Sequence, residues 1–385
     1  MTDKKNCCGC NACVQACPKQ CISMQTDEEG FWYPLINTGW GCINCNLCNK
    51  VCPIENAESI NRNIPEKVQT YIGYVLDEKL RLQSSSGGIF TVLAEAVLSL
   101  GGVVFGAAFD DDFLVHHIKV ENCDDLEKLR GSKYLQSRIE NTYREAEEEL
   151  KQGRFVLFSG TACQIAGLYG YLQRDYENLY TVDVLCHGVP SPKVWRKYLD
   201  EQETAYGAAV RRTFFRSKKH GWKTYALSLE FFNDKAYEKV SSNDFFLQIF
   251  LRNICLRPSC HDCKFKGMDR PSDITIGDAC GVGKYSPDMD DDKGTSVLLT
   301  HTVKGEELLQ KILPHLHYQK AELDTALPPQ ADSRKSVAPH PKRKKFFRAL
   351  NRGASIKQLV YLSNPSFVRR VLRRAKHTVK KLLGK

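Results

Sequence analysis

The middle of the chain alternates short apolar segments with segments of helical periodicity. The apolar segments, each typical of a buried strand, occupy residues 70–76, 103–109, 155–159 and 180–185. Apolar positions at helical spacing occupy residues 89–100, 138–152 and 162–173. Alternation of this kind predicts an α/β body with a mostly parallel sheet.

The pattern changes in the second half of the chain. Residues 210–250 predict an antiparallel insert followed by a helix, and residues 273–277 and 296–302 predict two more short strands. A polar stretch at residues 61–69 predicts a linker. We therefore expect a first domain over residues 1–60, a body over residues 66–332 with parts at about 68–150 and 151–325, and a tail over residues 333–385.

One segment, residues 89–109, is long and apolar enough to be considered as a membrane span. It contains a single charged residue, Glu95, in 21 positions. Gly101 and Gly102 stand in its middle, which favours a buried helix, a turn and a buried strand. The chain begins with polar residues and no apolar signal sequence, so we expect a cytoplasmic protein.

The positive charge of the chain is concentrated at one end. The net charge of the 385 residues is +10, yet residues 333–385 hold 17 Lys and Arg and no Asp or Glu. From Pro365 onward, basic and apolar residues recur at helical spacing, which predicts a basic amphipathic helix suited to an anionic membrane surface, on the inner face of the membrane. A helix docked on the body is the alternative. No aromatic platform accompanies the basic residues, so we expect no nucleic-acid partner.

Seventeen cysteines are far more than an ordinary cytosolic enzyme contains. Eight of them repeat the spacing C-x-x-C-x-x-C-x-x-x-C-P twice near the start of the chain, which is the pattern of bacterial two-cluster ferredoxins. Because the fourth cysteine of each run crosses to the other 4Fe–4S cluster, the expected ligand sets are Cys7, Cys10, Cys13 and Cys52, and Cys42, Cys45, Cys48 and Cys17. A zinc site and a disulfide framework fit this spacing and this compartment less well.

Four of the cysteines in the predicted body stand in settings that suggest a further cluster. Cys163 follows a predicted strand at the start of a helix, and Cys186 closes the next predicted strand. In a parallel sheet both positions lie at the carboxyl edge, where α/β proteins keep their sites. Cys260 and Cys263 form a C-x-x-C pair that completes a four-thiolate set for a third cluster. Two alternatives stay open: Cys163 and Cys186 as buried core thiols, and a zinc ion at Cys260 and Cys263.

The segments around these cysteines resemble the beta subunit family of coenzyme F-420 hydrogenases and dehydrogenases. The resemblance covers about residues 5–325 and rests on Ser84-Ser85-Ser86-Gly87-Gly88, Gly131-Ser132-Lys133-Tyr134, Gly160-Thr161-Ala162-Cys163-Gln164, Cys186-His187-Gly188-Val189-Pro190-Ser191-Pro192, Cys260 to Phe265, Asp273-Ile274-Thr275-Ile276-Gly277-Asp278 and Asp292-Lys293-Gly294-Thr295-Ser296. It implies an iron–sulfur flavoprotein that holds FAD and a 4Fe–4S cluster in its α/β body. One position departs from the family, because Cys280 stands where the family has a tryptophan. The departure puts a ring contact with the flavin in doubt and makes Cys280 a competing cluster ligand.

The expected flavin contacts come from the same segments. The loop before residue 89 and the Gly160-Thr161 turn would each present backbone N–H groups and a helix N-terminus to a phosphate. The full set of expected cofactor-binding residues is Ser85, Ser86, Gly87, Gly88, Lys133, Tyr134, Gly160, Thr161, His187 and Gly188. Lys133 and His187 are also expected to be catalytic, with an ordinary surface lysine and a structural histidine as the alternatives. The sequence has no G-x-G-x-x-G fingerprint, so a Rossmann-type site is not expected.

These features together predict an oxidoreductase that moves electrons through 4Fe–4S clusters to or from FAD and a two-electron acceptor or donor. That acceptor or donor would be a deazaflavin-type coenzyme, or a small or sugar substrate of a bacterial polysaccharide pathway. A low-potential redox protein would exchange electrons with the clusters. The alternative is a non-enzymatic electron-transfer protein that links partner redox proteins. The expected fold class is α/β, or α+β overall, with a two-cluster ferredoxin-like head, an α/β body that binds flavin and iron–sulfur, and a basic helical tail.

Overall fold

The computed structural model describes residues 2–37, 39, 41–57 and 68–364. We call residues 2–57 the head and residues 68–332 the body. The head contains two short helices and an antiparallel hairpin: α1 Ala12–Gln15, β1 Ile22–Thr26, β2 Trp32–Ile36 and α2 Leu47–Lys50. Each helix starts after a left-handed asparagine, Asn11 or Asn46, that directly follows a cysteine of the repeat. The repeated spacing thus produces the same local fold twice.

The body begins with four strands and four helices: β3 Gln69–Val75, α3 Glu78–Gln83, α4 Ile89–Leu98, β4 Val103–Phe109, β5 Val115–Val120, α5 Leu126–Leu129, β6 Ser137–Arg138 and α6 Thr142–Lys151. It continues with β7 Val156–Thr161, α7 Ala162–Leu172, β8 Leu179–Val184, α8 Pro192–Tyr206, β9 Val210–Ser217, β10 Ala226–Phe231, β11 Ala236–Val240, α9 Phe245–Leu251, β12 Ile274–Asp278, β13 Ser296–Thr300, α10 Val303–Ile312, β14 Leu316–Lys320 and α11 Leu323–Ala326. Two helices follow the body: α12 Arg343–Asn351 and α13 Ile356–Ser363.

Nine strands form one mixed sheet in the order β14-β3-β13-β12-β8-β7-β4-β5-β6, which confirms the expected α/β class. The four central strands β12, β8, β7 and β4 run parallel to one another. The expectation of a mostly parallel sheet is wrong, because four of the eight pairings are antiparallel: β14 with β3, β3 with β13, β13 with β12, and β4 with β5. The edge pair of β5 and β6 is parallel. The connection from β4 to β5 is a tight loop at residues 110–114, and a loop that short joins only antiparallel neighbours.

Most predicted elements are present within a few residues of their expected ends. The helix expected at residues 138–152 begins later, at Thr142, because residues 137 and 138 form the edge strand β6. Residues 89–109 fold as α4, a turn at Gly101 and Gly102, and β4. Within the described ranges, no helix combines the length and the apolar character needed to cross a membrane.

The insert at residues 210–250 is antiparallel, as expected, and forms a separate three-stranded sheet followed by α9. It shares a core with α8, α12 and α13, in which Trp195, Phe246 and Phe346 are fully buried. Arg343 at the start of α12 also forms an ion pair with Glu29 of the head at 2.5 Å. The helix expected from Pro365 onward lies outside the described residues and stays a prediction.

Candidate functional site

Two of the predicted body thiols lie at the carboxyl ends of neighbouring strands. β7 ends at Thr161, and Cys163 is the second residue of α7. β8 pairs with β7 and ends at Val184, two residues before Cys186. Because parallel neighbours end at the same edge of a sheet, the two thiols come to one side of the molecule.

The C-x-x-C pair reaches the same edge from a different segment. The backbone N–H of Arg257 donates to the Val189 carbonyl, which holds the 3₁₀ helix Pro258–Asp262 beside the loop after β8. Cys260 Sγ in turn accepts a hydrogen bond from the Val189 N–H at 3.4 Å. As a result, all four predicted body cysteines line one cavity, which we call the body cavity: Cys163, Cys186, Cys260 and Cys263.

The thiols of the body cavity are poor acids in this environment. Burial raises the pKa of Cys186 to about 12 and that of Cys263 to about 11. The contact with Cys8, followed by burial, raises the pKa of Cys163 well above its usual value. A metal centre binds thiolates, so loading this cavity would release protons. Four cationic side chains also line the cavity and would offset the charge of four thiolates: Arg257, Lys264, Lys266 and Arg270.

The first predicted ligand set of the head lines a second cavity, which we call the head cavity. Its members are Cys7, Cys10, Cys13 and Cys52. Cys52, from the second cysteine run, therefore joins the three cysteines of the first run, as a crossing fourth ligand should. Burial, followed by the neighbouring thiols of Cys7 and Cys52, raises the pKa of Cys13 to about 12.

The second predicted set of the head comprises Cys42, Cys45, Cys48 and Cys17. Cys48 lines the head cavity with the first set, whereas Cys45 is exposed. Cys21 neighbours both Cys17 and Cys42, and its sulfur is 3.4 Å from that of Cys17. Cys21 does not belong to the repeat, and its position in the sequence gave no indication of this contact.

Cys8 is a second cysteine that the sequence did not single out. It lines both the head cavity and the body cavity, as does Ile54. Its thiol is a hydrogen-bonding neighbour of Cys10 in the head and of Cys163 in the body. The only indication in the sequence is that Cys8 directly follows Cys7, the first cysteine of the repeat.

Across the described ranges, no group of three or more His, Cys, Asp or Glu side chains is arranged to hold a metal ion.

The loop at residues 85–88 contacts two segments that are distant in sequence. Ser85 Oγ accepts a hydrogen bond from the Ser132 backbone N–H at 2.6 Å, and the Gly87 N–H donates to Ser296 Oγ at 2.9 Å. A Cβ atom at Gly87 would lie 2.5 Å from the Gly73 carbonyl oxygen, so this close approach requires glycine. α4 starts directly after Gly88 and has no side-chain cap. The structure thus places a glycine-rich loop at an uncapped helix N-terminus.

Two lysines with lowered pKa values flank this loop. Lys218 Nζ donates to the carbonyl oxygens of Arg81, Ser86 and Lys293 at 2.6–2.7 Å, and burial lowers its pKa to about 7. Lys133 Nζ lies 3.2–3.3 Å from three carbonyl oxygens at the end of α5. Burial lowers the pKa of Lys133 to about 7 as well. The ammonium of Lys133 thus caps the carbonyl groups at the end of α5.

Tyr134 joins the loop region to the antiparallel insert. Its hydroxyl accepts a hydrogen bond from Arg216 Nη1 at 3.2 Å, and the same nitrogen pairs with Asp278 Oδ2 at 2.6 Å. Arg216 also lies 4.2 Å from the centre of the Tyr225 ring. Cys280, two residues beyond Asp278, is exposed and does not line the body cavity.

The remaining predicted residues lie on the side of the body cavity. Thr161, His187 and Gly188 line that cavity, and Thr161 forms a capping box with Gln164 at the start of α7, next to Gly160. His187 Nε2 is 2.5 Å from Asn253 Oδ1, and burial lowers the pKa of His187.

One aromatic side chain connects the two groups of predicted residues. The Phe250 ring lies 5.0 Å from the Tyr134 ring and 5.3 Å from the His187 ring. Phe250 therefore lies between Tyr134, next to the loop region, and His187, which lines the body cavity.

Comparison with known proteins gives two findings and one negative result. Comparison with curated proteins finds no match. Among solved structures, the chain is similar to the F420-reducing NiFe hydrogenase complex from Methanosarcina barkeri, with a TM-score of 0.47 and 17% sequence identity over 77% of this chain and 89% of that chain. Residues 153–325 match the family model for the C terminus of the coenzyme F420 hydrogenase/dehydrogenase beta subunit. The chain is therefore similar to the coenzyme F420 hydrogenase/dehydrogenase beta subunit family over 173 of its 385 residues.

Proposed function

We propose that this protein is an iron–sulfur flavoprotein oxidoreductase. It moves electrons between a low-potential redox protein and a two-electron acceptor or donor by way of three 4Fe–4S clusters and FAD. The main support for the proposal is that the head cavity and the body cavity are both lined by thiols and share Cys8 as a lining residue. The family match over residues 153–325, whose description is that of a redox enzyme subunit, supports it.

The residue types of the donor sets suit iron–sulfur clusters. Cys163, Cys186, Cys260 and Cys263 supply four sulfur ligands to the body cavity, and the first head set supplies four to the head cavity. Thiolate ligation of this kind is typical of 4Fe–4S proteins. For the second head set, the proposal rests on the spacing of the repeat, with Cys42, Cys45, Cys48 and Cys17 as ligands.

The proposed flavin site extends from the loop at residues 85–88 to His187. The N–H groups of this loop and the uncapped start of α4 suit an anionic pyrophosphate, and Lys133 and Lys218 add positive charge beside it. When bound, FAD supplies the conversion between one-electron and two-electron transfer. The ring of Tyr134 and the Phe250 ring between it and His187 provide apolar surface between the loop and the body cavity.

His187 and Lys133 are the proposed catalytic residues. Burial lowers the pKa of His187, and an imidazole can take up or release a proton. Asn253 fixes the orientation of that ring through the 2.5 Å contact. Lys133, with a pKa of about 7, switches between a charged and a neutral amine near neutral pH and can follow the charge of a bound flavin.

We propose a deazaflavin-type coenzyme, or a small or sugar substrate, as the two-electron acceptor or donor. A cytoplasmic location, with the basic segment from Pro365 onward at an anionic membrane surface, is part of the same proposal.

The proposal is tested by reducing the anaerobically purified full-length protein with a low-potential one-electron donor while flavin absorbance is followed. Reduction of a bound flavin, followed by its reoxidation on addition of deazaflavin or a sugar substrate, supports the enzyme. Iron without extractable flavin would instead indicate the electron-transfer protein. His187→Gln is expected to slow reoxidation without loss of iron, whereas His315→Gln, on an exposed residue, is the matched control.

A further inference from the structure

Arg257 is a buried guanidinium at the junction of the head and the body. Its side chain is 1% exposed. Its three nitrogens donate to the Cys7 carbonyl at 2.8 Å, to Gln136 Oε1 at 2.9 Å and to the Trp32 carbonyl at 3.0 Å. Two of these acceptors belong to the head and one to the body, so the guanidinium joins the two parts.

All three acceptors of Arg257 are electrically neutral. Two other deeply buried arginines each pair with a carboxylate, Arg81 with Asp291 at 2.6 Å and Arg270 with Asp183 at 3.1 Å. In the portion of the chain that the structure describes, Arg257 has no such ion pair. A buried charge without a counter-ion is strongly unfavourable, so a negative partner is expected close by.

The thiol sets provide that partner. Arg257 lines the body cavity and lies three residues before Cys260. Gln136, which accepts from Arg257, also donates through Nε2 to the Cys8 carbonyl at 3.3 Å. The guanidinium therefore lies where the cysteine segment of the head meets the cysteine segment of the body.

We infer that Arg257 is the counter-ion of the iron–sulfur centre in the body cavity and raises its reduction potential, an inference that rests on the proposed function. Four thiolates outweigh the charge of the iron–sulfide core, so such a centre is an anion, and one added electron makes it more negative. A buried cation stabilises the reduced form more than the oxidised form, and net charge is among the factors that set cluster potentials. In this role Arg257 contacts no substrate. It acts only through the positive charge that it holds next to the body centre.

The test is a redox titration of the anaerobically purified full-length protein, followed by electron paramagnetic resonance. The signal of the body centre is identified as the one that disappears in Cys263→Ala. In Arg257→Gln, the iron content should stay the same, while the ratio of reduced to oxidised body centre at a fixed potential falls about tenfold or more. For a one-electron couple, tenfold corresponds to a midpoint about 59 mV more negative. Arg257→Lys keeps the charge and should stay close to the wild-type midpoint.

Two further variants separate charge from docking. Arg144→Gln also removes a contact between body and head, from Arg144 Nη2 to the Gln15 carbonyl at 3.1 Å, but Arg144 lines neither cavity and its variant should keep the wild-type midpoint. Gln136→Glu places a carboxylate next to the Arg257 guanidinium and neutralises its charge. The midpoint potential of the body centre should therefore become more negative, as in Arg257→Gln. Gln136→Glu takes the place of Arg257→Gln if the Arg257 variant does not fold. A body signal with the wild-type midpoint in both Arg257→Gln and Gln136→Glu would overturn the inference. Wild-type protein without iron would instead overturn the proposed function.

Discussion

The thiol of Cys8 lies within hydrogen-bonding reach of the thiol of Cys163, although the two residues belong to the head and to the body. Each is next to a proposed cluster site, since Cys8 also neighbours Cys10 and Cys163 lines the body cavity. The two proposed cluster sites therefore meet at this pair of thiols. Cys8 is outside the repeated spacing, so we do not assign it as a ligand.

The first prediction concerns the body thiols. Cys163→Ala should lower the iron content of anaerobically purified protein by about a third, because one of three four-iron centres loses a ligand. Cys255→Ala is the matched control, since Cys255 is fully buried but lines neither cavity. Iron analysis per chain gives the answer, and equal iron in Cys163→Ala and wild type would rule out a body centre held by Cys163.

The second prediction concerns the lysine that joins three loops. Lys218→Met removes the donor to the carbonyls of Arg81, Ser86 and Lys293, so the loop at residues 85–88 loses its support. The amount of FAD that stays bound through gel filtration should fall several-fold. Lys219→Met alters an exposed lysine next in sequence and should retain wild-type flavin. Equal flavin retention in the two variants would argue against a flavin site at this loop.

The third prediction concerns the pair of Arg216 and Asp278. Asp278→Asn leaves the guanidinium, whose side chain is 10% exposed, without its carboxylate at 2.6 Å. Because a buried charge then lacks its partner, the free energy of unfolding should fall by about 3 kcal/mol in denaturant titrations. Asp234→Asn breaks the exposed pair with Arg211 and should change it by less than about 1 kcal/mol. An equally small change in the free energy of unfolding in both variants would mean that solvent screens the charge of Arg216.

The fourth prediction concerns acid stability. Burial lowers the pKa of His117 to about 4, and its ring nitrogens lie 2.6 Å from Ser137 Oγ and 2.9 Å from the Ser159 carbonyl. Below about pH 6.5 the unfolded state takes up a proton that the folded state does not, so stability is lost as the pH falls from 6.5 towards 4. Between pH 7 and pH 5 this residue should account for a loss on the order of 2 kcal/mol.

Thermal or denaturant unfolding at several pH values measures this loss. His117→Gln should flatten the decline with pH, whereas the exposed His315→Gln should leave it unchanged. An identical pH slope in His117→Gln and wild type would show that His117 does not carry the effect.

The sequence predicted the parallel centre of the sheet well, because buried parallel strands such as residues 103–109 form continuous apolar segments. It missed β5, whose residues 115–120 include two histidines and a lysine. His117 is buried there by hydrogen bonds to Ser137 and to the Ser159 carbonyl, which a polarity pattern does not reveal. Without β5, the antiparallel edge next to β4 was also missed.

The candidate site likewise contains some groupings that the sequence predicted and some contacts that it did not. Spacing grouped Cys7, Cys10, Cys13 and Cys52, which line one cavity together with Cys8 and Cys48. Strand ends grouped Cys163 and Cys186, whereas Cys260 and Cys263 were grouped with them only through their C-x-x-C spacing. The contact between Arg257 and the Cys7 carbonyl joins residues 250 positions apart and leaves no periodic trace in the sequence. The same holds for Phe250 between Tyr134 and His187, since tertiary packing alone brings these three rings together.

The most direct test of the account is the cofactor content of full-length protein purified without oxygen. Iron, acid-labile sulfide, zinc and extractable flavin are measured per chain on one sample. The account predicts about 12 iron atoms, a similar amount of sulfide and one FAD. Colourless protein that holds zinc, or no metal at all, would contradict it.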